Sequence, residues 1–171
     1  VTEAAAGSAA ASGHPQFGVQ LRAQRDGDSY VLSGSKRFIS NGSVARLYSV
    51  LARTHPTKAA LGGLSFFAVD AGDGVVVGKV EDKMGQRACP AAELIFEDTH
   101  VPAENLLGRE GLGMIGLTQT ISFSTPLVSA ICVGVARAAT ELALRHARSA
   151  KPSLIEEQGV AMRLFDMASA V

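Results

Sequence analysis

Three short segments hold the residues whose types and spacing could do chemistry. The first, VTEAAAGS at residues 1–8, sets small side chains around the hydroxyls of Thr2 and Ser8. Small residues such as Gly7 let a backbone come close to a ligand, and the hydroxyls supply donors and acceptors. The same composition taken alone also describes a flexible alanine-rich tail. The second, GSKRFISNG at 34–42, puts the Phe38 ring and the Ser40 hydroxyl just ahead of Asn41-Gly42. By itself it reads as a strand ending in an Asn-Gly turn. The third, EDKMGQRACPAAELIFEDTHVPAENLLGREGLG at 81–113, orders a glycine turn, a buried strand and a proline-led loop. Its charged start, Glu81, Asp82, Lys83 and Arg87, looks catalytic but is more simply a solvated or salt-bridged surface.

Other candidates carry less. Gly111, Gly113 and Gly116 match the G-x-G-x-x-G pattern of dinucleotide sites. The segment before them is a loop rather than a strand and no βαβ unit surrounds it, so these glycines are assigned to the start of a helix. His14, His55, His100 and His146 have no carboxylate or cysteine at metal spacing, which leaves them surface or loop roles and predicts no metal. Lys58, in a polar turn, could meet a phosphate but would ordinarily meet water. Glu141 and Arg145 have the i,i+4 spacing of an ordinary helix pair.

The elements that must position these residues come in two halves. Over residues 17–101, FGVQLRAQR, YVLSG, KRFIS, LYSVLART, LSFFAVD, VVVGKV and AELIFED form short strand-like runs separated by glycine and proline. Six or seven strands at this spacing predict an antiparallel barrel or sandwich. From about Gly111 the period turns helical through Leu117, Ile121, Val128, Ile131, Val135, Ala138 and Leu142. Pro126 is expected to start or kink that helix. A second helix follows from about Pro152. The fold class is α+β, with a β-domain at 1–108 and the first two helices of an up-and-down bundle at 109–171.

Sixteen basic residues balance sixteen acidic ones, so no nucleic-acid or membrane-surface field is expected. No run of eighteen apolar residues occurs, which argues against a membrane span. Cys89 and Cys132 fit a reduced, cytoplasmic protein. The chain opens inside one motif and stops inside the amphipathic pattern RLFDMASAV, as a fragment of a longer protein would.

In this order and at these intervals, the three segments resemble the middle β-domain of the acyl-CoA dehydrogenases, FAD enzymes that desaturate acyl thioesters. The resemblance runs from about Val1 to Ala147. It implies that Thr2, Gly7 and Ser8 run along the flavin, with Ser8 also toward the thioester's pantetheine arm. It implies that Phe38 is the apolar wall on one flavin face, where many members carry tryptophan. The Ser40 hydroxyl then meets N5, and the Ile39 and Ser40 backbone reaches the pyrimidine edge. Two later motifs depart from the family pattern. The usual Asp-x-x-Arg-Pro reads Ser122-Phe123-Ser124-Thr125-Pro126, and Ser124 stands where some members carry the catalytic glutamate. The usual Arg-x-x-Phe-Gly reads Arg148-Ser-Ala-Lys-Pro-Ser. No catalytic residue is assigned within the chain. The resemblance further implies an acyl-CoA substrate, a flavoprotein or oxygen as electron acceptor, and a dimer, homotetramer or heteromeric partner. The alternative is a catalytically silent relative that keeps the fold.

Overall fold

The computed structural model describes residues 2–4, 17–72 and 74–171. It contains strands β1 (Arg22–Asp26), β2 (Ser29–Ser40), β3 (Leu47–Arg53), β4 (Leu64–Asp70), β5 (Val75–Val80), β6 (Ala91–Pro102) and β7 (Leu106–Leu107). An irregular helical turn, α1 (Ala60–Gly63), precedes β4, and two helices, α2 (Gly113–Ser149) and α3 (Gln158–Ser169), follow the strands. The chain divides into two compact units, Val1–Thr118 and Gln119–Val171.

One sheet, in the order β5-β6-β2-β1-β3-β4-β7, makes up the first unit. Its pairings are antiparallel apart from the single parallel step between β1 and β3. The strand runs read from sequence overlap these elements, YVLSG and KRFIS merging into the one long β2, while only the end of FGVQLRAQR is strand, as β1 begins at Arg22. Alternation builds the core. In β4, Ser65, Phe67 and Val69 are buried on one face, with Leu64 buried on the other, and in β6, Ala92, Leu94 and Phe96 are buried. At Asp98 (φ 46°) the phase of β6 slips, so that Thr99 and Val101 turn inward instead. A register jump between Leu32 and Gly34 marks the same irregularity on β2, and a second jump lies between Lys36 and Ile39. Bulges bend and twist a strand, and the bent β2–β6 pair lets the sheet fold over a shared core. There Tyr30 meets Phe67 edge to face at 4.9 Å.

The sheet is not a closed barrel. Its edges β5 and β7 do not pair with each other. With only two residues, β7 is too short to carry the ladder round. The sandwich half of the barrel-or-sandwich expectation is the one that fits.

The glycines of the G-x-G-x-x-G run start the helix, as read from sequence. A Cβ on Gly113, the first residue of α2, would stand 2.8 Å from Leu51 Cδ1 and 2.9 Å from the Leu64 carbonyl oxygen. The second cluster, Val19, Leu51, Ala60, Leu64 and Leu117, packs beside this approach. Gly113→Val is therefore expected to cost about 1–3 kcal/mol by overpacking. A chemical denaturation curve checks it, and an unchanged midpoint would contradict the packing.

Most of α2 belongs to the second unit. It neither starts nor ends at Pro126, contrary to the expectation of a start there, and runs as one helix through it. A proline removes one main-chain bond and crowds the carbonyl of Ser122. Hydroxyls of the surrounding turn bond back to the helix. Ser124 and Thr125 both donate to the Ile121 carbonyl (3.1 and 2.8 Å), and Ser129 donates to the Thr125 carbonyl (2.9 Å). By length and composition α2 could also cross a bilayer, its most apolar eighteen-residue window having a mean hydropathy of 1.7. The sequence expectation of no span rested on an uninterrupted apolar run, which these hydroxyls break.

Candidate functional site

The end of β2 presents an aromatic ring that the backbone holds under strain. Phe38 has φ 58°, a left-handed conformation that bulky residues rarely adopt and that persists where surrounding structure enforces it. The enforcement is local: the register of β2 against β6 jumps between Lys36 and Ile39. The result is a phenyl ring that is 54% exposed at the end of a strand, where an ordinary alternating residue would be buried or polar. The Arg37 guanidinium carbon lies 5.0 Å from its centroid, a cation–π contact. Beyond it, half-buried Ile39 and exposed Ser40 pair with Ala92 and Ala91. Then comes the turn, with Asn41 at φ 58°. Asn41 N–H donates to the Pro90 carbonyl (2.6 Å), and the Tyr48 hydroxyl donates to the Gly42 carbonyl (2.8 Å). The turn is thus fixed from two sides, and Phe38, Ile39 and Ser40 stand on a rigid mount.

The N-terminal segment is tied to the same strand. Arg37 N–H donates to the Thr2 carbonyl at 2.9 Å, which ties Thr2 to the residue before Phe38. Next to it, Glu3 is buried, and its carboxylate accepts from the Lys36 amine (2.5 Å) and from the Gln20 and Leu21 amides (2.6 and 3.1 Å). One carboxylate therefore joins the N-terminal segment to β2 and to the residues leading into β1. Burial holds the Lys36 amine below the ordinary lysine range, and the Glu3 carboxylate opposes that shift. This clamp was not singled out from the sequence. Its signal was a glutamate within an otherwise small-residue motif and a lysine at an inward position of a strand. Gly7 and Ser8 lie outside the described residues.

The stretch 81–90 is the ion-paired surface that the sequence suggested. Arg87 pairs with Asp82 at 2.9 Å, and Lys83 donates to the Cys89 carbonyl at 2.5 Å. Glu81 pairs with Lys79 (3.2 Å) and with Arg37 (3.3 Å), so it draws on the same guanidinium that covers Phe38. Hydrogen bonding from Lys79, then from Arg37, holds the Glu81 carboxyl below the ordinary carboxylate range. A depressed folded-state pKa adds stability that is complete above the unfolded value and is lost as pH falls through the folded one. The environment of Phe38 is accordingly expected to change on acidification below the ordinary carboxylate range. Glu81→Gln should remove that step from a fluorescence or NMR titration, and a step that survives the substitution would assign it elsewhere.

The altered helix positions have local partners. Ser124 and Thr125 direct their hydroxyls into the helix itself. Ser149 and Ser153 donate to the His146 and Ala147 carbonyls, which close the end of α2. His55 is the centre of its own turn, its Nδ1 facing the Thr57 and Lys58 amides at 3.4 and 3.3 Å. Among the described residues no group of histidine, cysteine and acidic side chains could hold a metal.

Comparison with known proteins bears on all of this. Residues 1–99 match the family described as acyl-CoA dehydrogenase, middle domain. The cyclohex-1-ene-1-carbonyl-CoA dehydrogenase of Syntrophus aciditrophicus is 44% identical over 138 residues, 80% of this chain and 33% of that protein. The butyryl-CoA dehydrogenase of Megasphaera elsdenii superimposes with a TM-score of 0.87 at 36% identity, over 98% of this chain and 43% of that one. A structure described as the FAD complex of PigA superimposes with a TM-score of 0.88 at 30% identity, over 98% of this chain and 43% of that one. The chain thus spans a third to under half the length of the relatives it matches.

Proposed function

This chain belongs to the acyl-CoA dehydrogenase family, and on that premise we propose that its protein is an FAD-dependent acyl-CoA dehydrogenase introducing an α,β double bond into an acyl thioester. The observation that carries the reading is Phe38, a strained and exposed ring beside an exposed hydroxyl at a rigid strand end. A flat heterocycle is the ligand that such a ring and hydroxyl suit. When bound, FAD would supply the acceptor for the substrate's β-hydride. Phe38 would cover one flavin face. The Ser40 hydroxyl and the Ile39 and Ser40 main chain would meet its edge. Thr2, tied to β2 by its bond to Arg37, would line the approach, with Gly7 and Ser8 continuing that wall toward the acyl-CoA. The glutamate that removes the α-proton is not assigned to any residue of this chain. The division into 1–108 and 109–171 belongs to the same proposal, as do a cytoplasmic location and a flavoprotein or oxygen as electron acceptor.

Subunit association follows from α2. Ile121, Phe123, Leu127, Val128, Ile131 and Val135 are each at least half exposed on a helix rich in hydroxyls, a surface suited to cover by protein. The 171 residues alone are expected to self-associate. A monodisperse monomer by light scattering would contradict this.

The test is spectroscopic. The intact protein should carry flavin absorbance, and an acyl-CoA should bleach it in the absence of oxygen. A colourless protein that takes up no FAD would overturn the reading. One observation favours a second reading, a silent relative that keeps the fold: Ser122 and Thr125 replace the family's acid and arginine, Ser124 stands where some members carry the catalytic glutamate, and Ser124 and Thr125 are bonded into their own helix. A yellow protein that no acyl-CoA bleaches would establish it.

A further inference from the structure

Away from Phe38, β1 carries arginines that form no ion pair among the described residues. Arg22, Gln24 and Arg25 of β1, Gln20 just before it, and Arg53 and Thr54 at the end of β3 line a concavity of about 410 Å³. That is within the ~300–1,000 Å³ of small-molecule sites. Arg22 and Arg53 are direct partners across the parallel step between the two strands. Like charges in that position repel unless something intervenes. Among the described residues neither these two nor Arg25 forms an ion pair. Arg25 reaches only the Gly27 carbonyl at 3.3 Å and the Tyr30 ring at 5.9 Å.

Arg53 is the anchor of the cluster. It is 6% exposed, and its Nε donates to the Val19 carbonyl at 2.9 Å while Nη1 donates to the Lys58 carbonyl at 3.0 Å. The remaining nitrogen, Nη2, is buried with no hydrogen-bond partner among the described residues. A guanidinium is always charged and its donors are costly to leave unmade. Burial pulls the Arg53 pKa down, with Glu3 opposing. Glu3 is already committed to Lys36 and two amides.

We propose that this concavity binds a phosphate-bearing small molecule, with the phosphate received by Arg53, Arg22 and Arg25. One guanidinium fork neutralises a carboxylate, whereas three cations around one hollow match a phosphate dianion and its several acceptor oxygens. Gln24 adds a neutral donor beside it, while the Gln20 amide and the Thr54 hydroxyl bond to the Gly18 carbonyl and the Ser65 hydroxyl. The site rests on arginines that the flavin reading does not use and stands whether or not that reading holds.

Calorimetric titration of the intact protein with sodium pyrophosphate, at ionic strength matched with sodium chloride, tests it. One saturable site per chain is expected. Arg22→Gln and Arg25→Gln should each weaken it about tenfold, as for loss of a charge-assisted hydrogen bond, with the circular dichroism spectrum unchanged. Arg53 also closes the 55–58 loop, so the two exposed positions decide the outcome if Arg53→Met fails to fold. Absence of saturation, equal affinity in both exposed variants, or equal displacement by acetate would overturn the proposal. A further arm separates two sources of the phosphate. If a CoA thioester displaces pyrophosphate, the phosphate is that ligand's own; if both bind together, the site takes a separate molecule. Either result leaves the phosphate site standing.

Discussion

Lys36→Met is expected to cost the folded protein about 3–5 kcal/mol, the usual consequence of removing one member of a buried ion pair. The variant would leave the Glu3 carboxylate buried with two amide donors and without its ion-pair partner. Glu3→Gln is expected to cost less. A neutral amide oxygen can still accept from Gln20 or Leu21, although the Lys36 amine then loses its partner. Because the two residues share one interaction, Glu3→Gln with Lys36→Met should be less destabilised than the sum of the single changes. Urea denaturation of the four proteins measures this. Additive losses, or a Lys36→Met loss below about 1 kcal/mol, would mean that the pair does not hold the N-terminal segment in place.

The contrast between this clamp and the strands around it shows what the sequence can and cannot carry. Alternation in LSFFAVD and AELIFED is a local pattern, so β4 and β6 were legible residue by residue. The phase slip at Asp98 was not, because a bulge is enforced by the partner strand and leaves no compositional mark. Open edges in place of a closed barrel have the same origin, since closure depends on pairings between distant strands. Glu3 and Lys36 are separated by 33 positions, and only the fold reveals that a charged residue in a strand points inward at a carboxylate. Of the start or kink expected at Pro126, the start is not seen: α2 begins at Gly113, and a local propensity rule does not say where packing lets a helix begin. At the candidate site, Phe38, Ile39 and Ser40 could be picked out by their motif. The strain at Phe38 and the guanidinium over its ring could not, because both arise from the bulge and from Glu81 across the sheet.

That strain sets the second large effect. Phe38→Ala is expected to weaken retention of flavin by the intact protein about ten- to a hundredfold, through lost aromatic area and lost stacking. Alanine in place of an exposed phenylalanine costs the core nothing, so the protein should keep its fold while the cofactor leaves. Ser40→Ala should weaken binding by only about fivefold, the worth of one neutral hydrogen bond near 1 kcal/mol, and should shift the flavin's absorbance or potential. Lys83→Ala should do neither. Its amine is occupied by the Cys89 carbonyl, in a turn whose charges pair among themselves. Equilibrium dialysis of FAD against the three variants, with visible spectra of the retained fraction, separates these outcomes. Loss of flavin from Lys83→Ala with retention by Phe38→Ala would put the cofactor on the other face of the β-domain. It would also leave the left-handed backbone of Phe38 without a function.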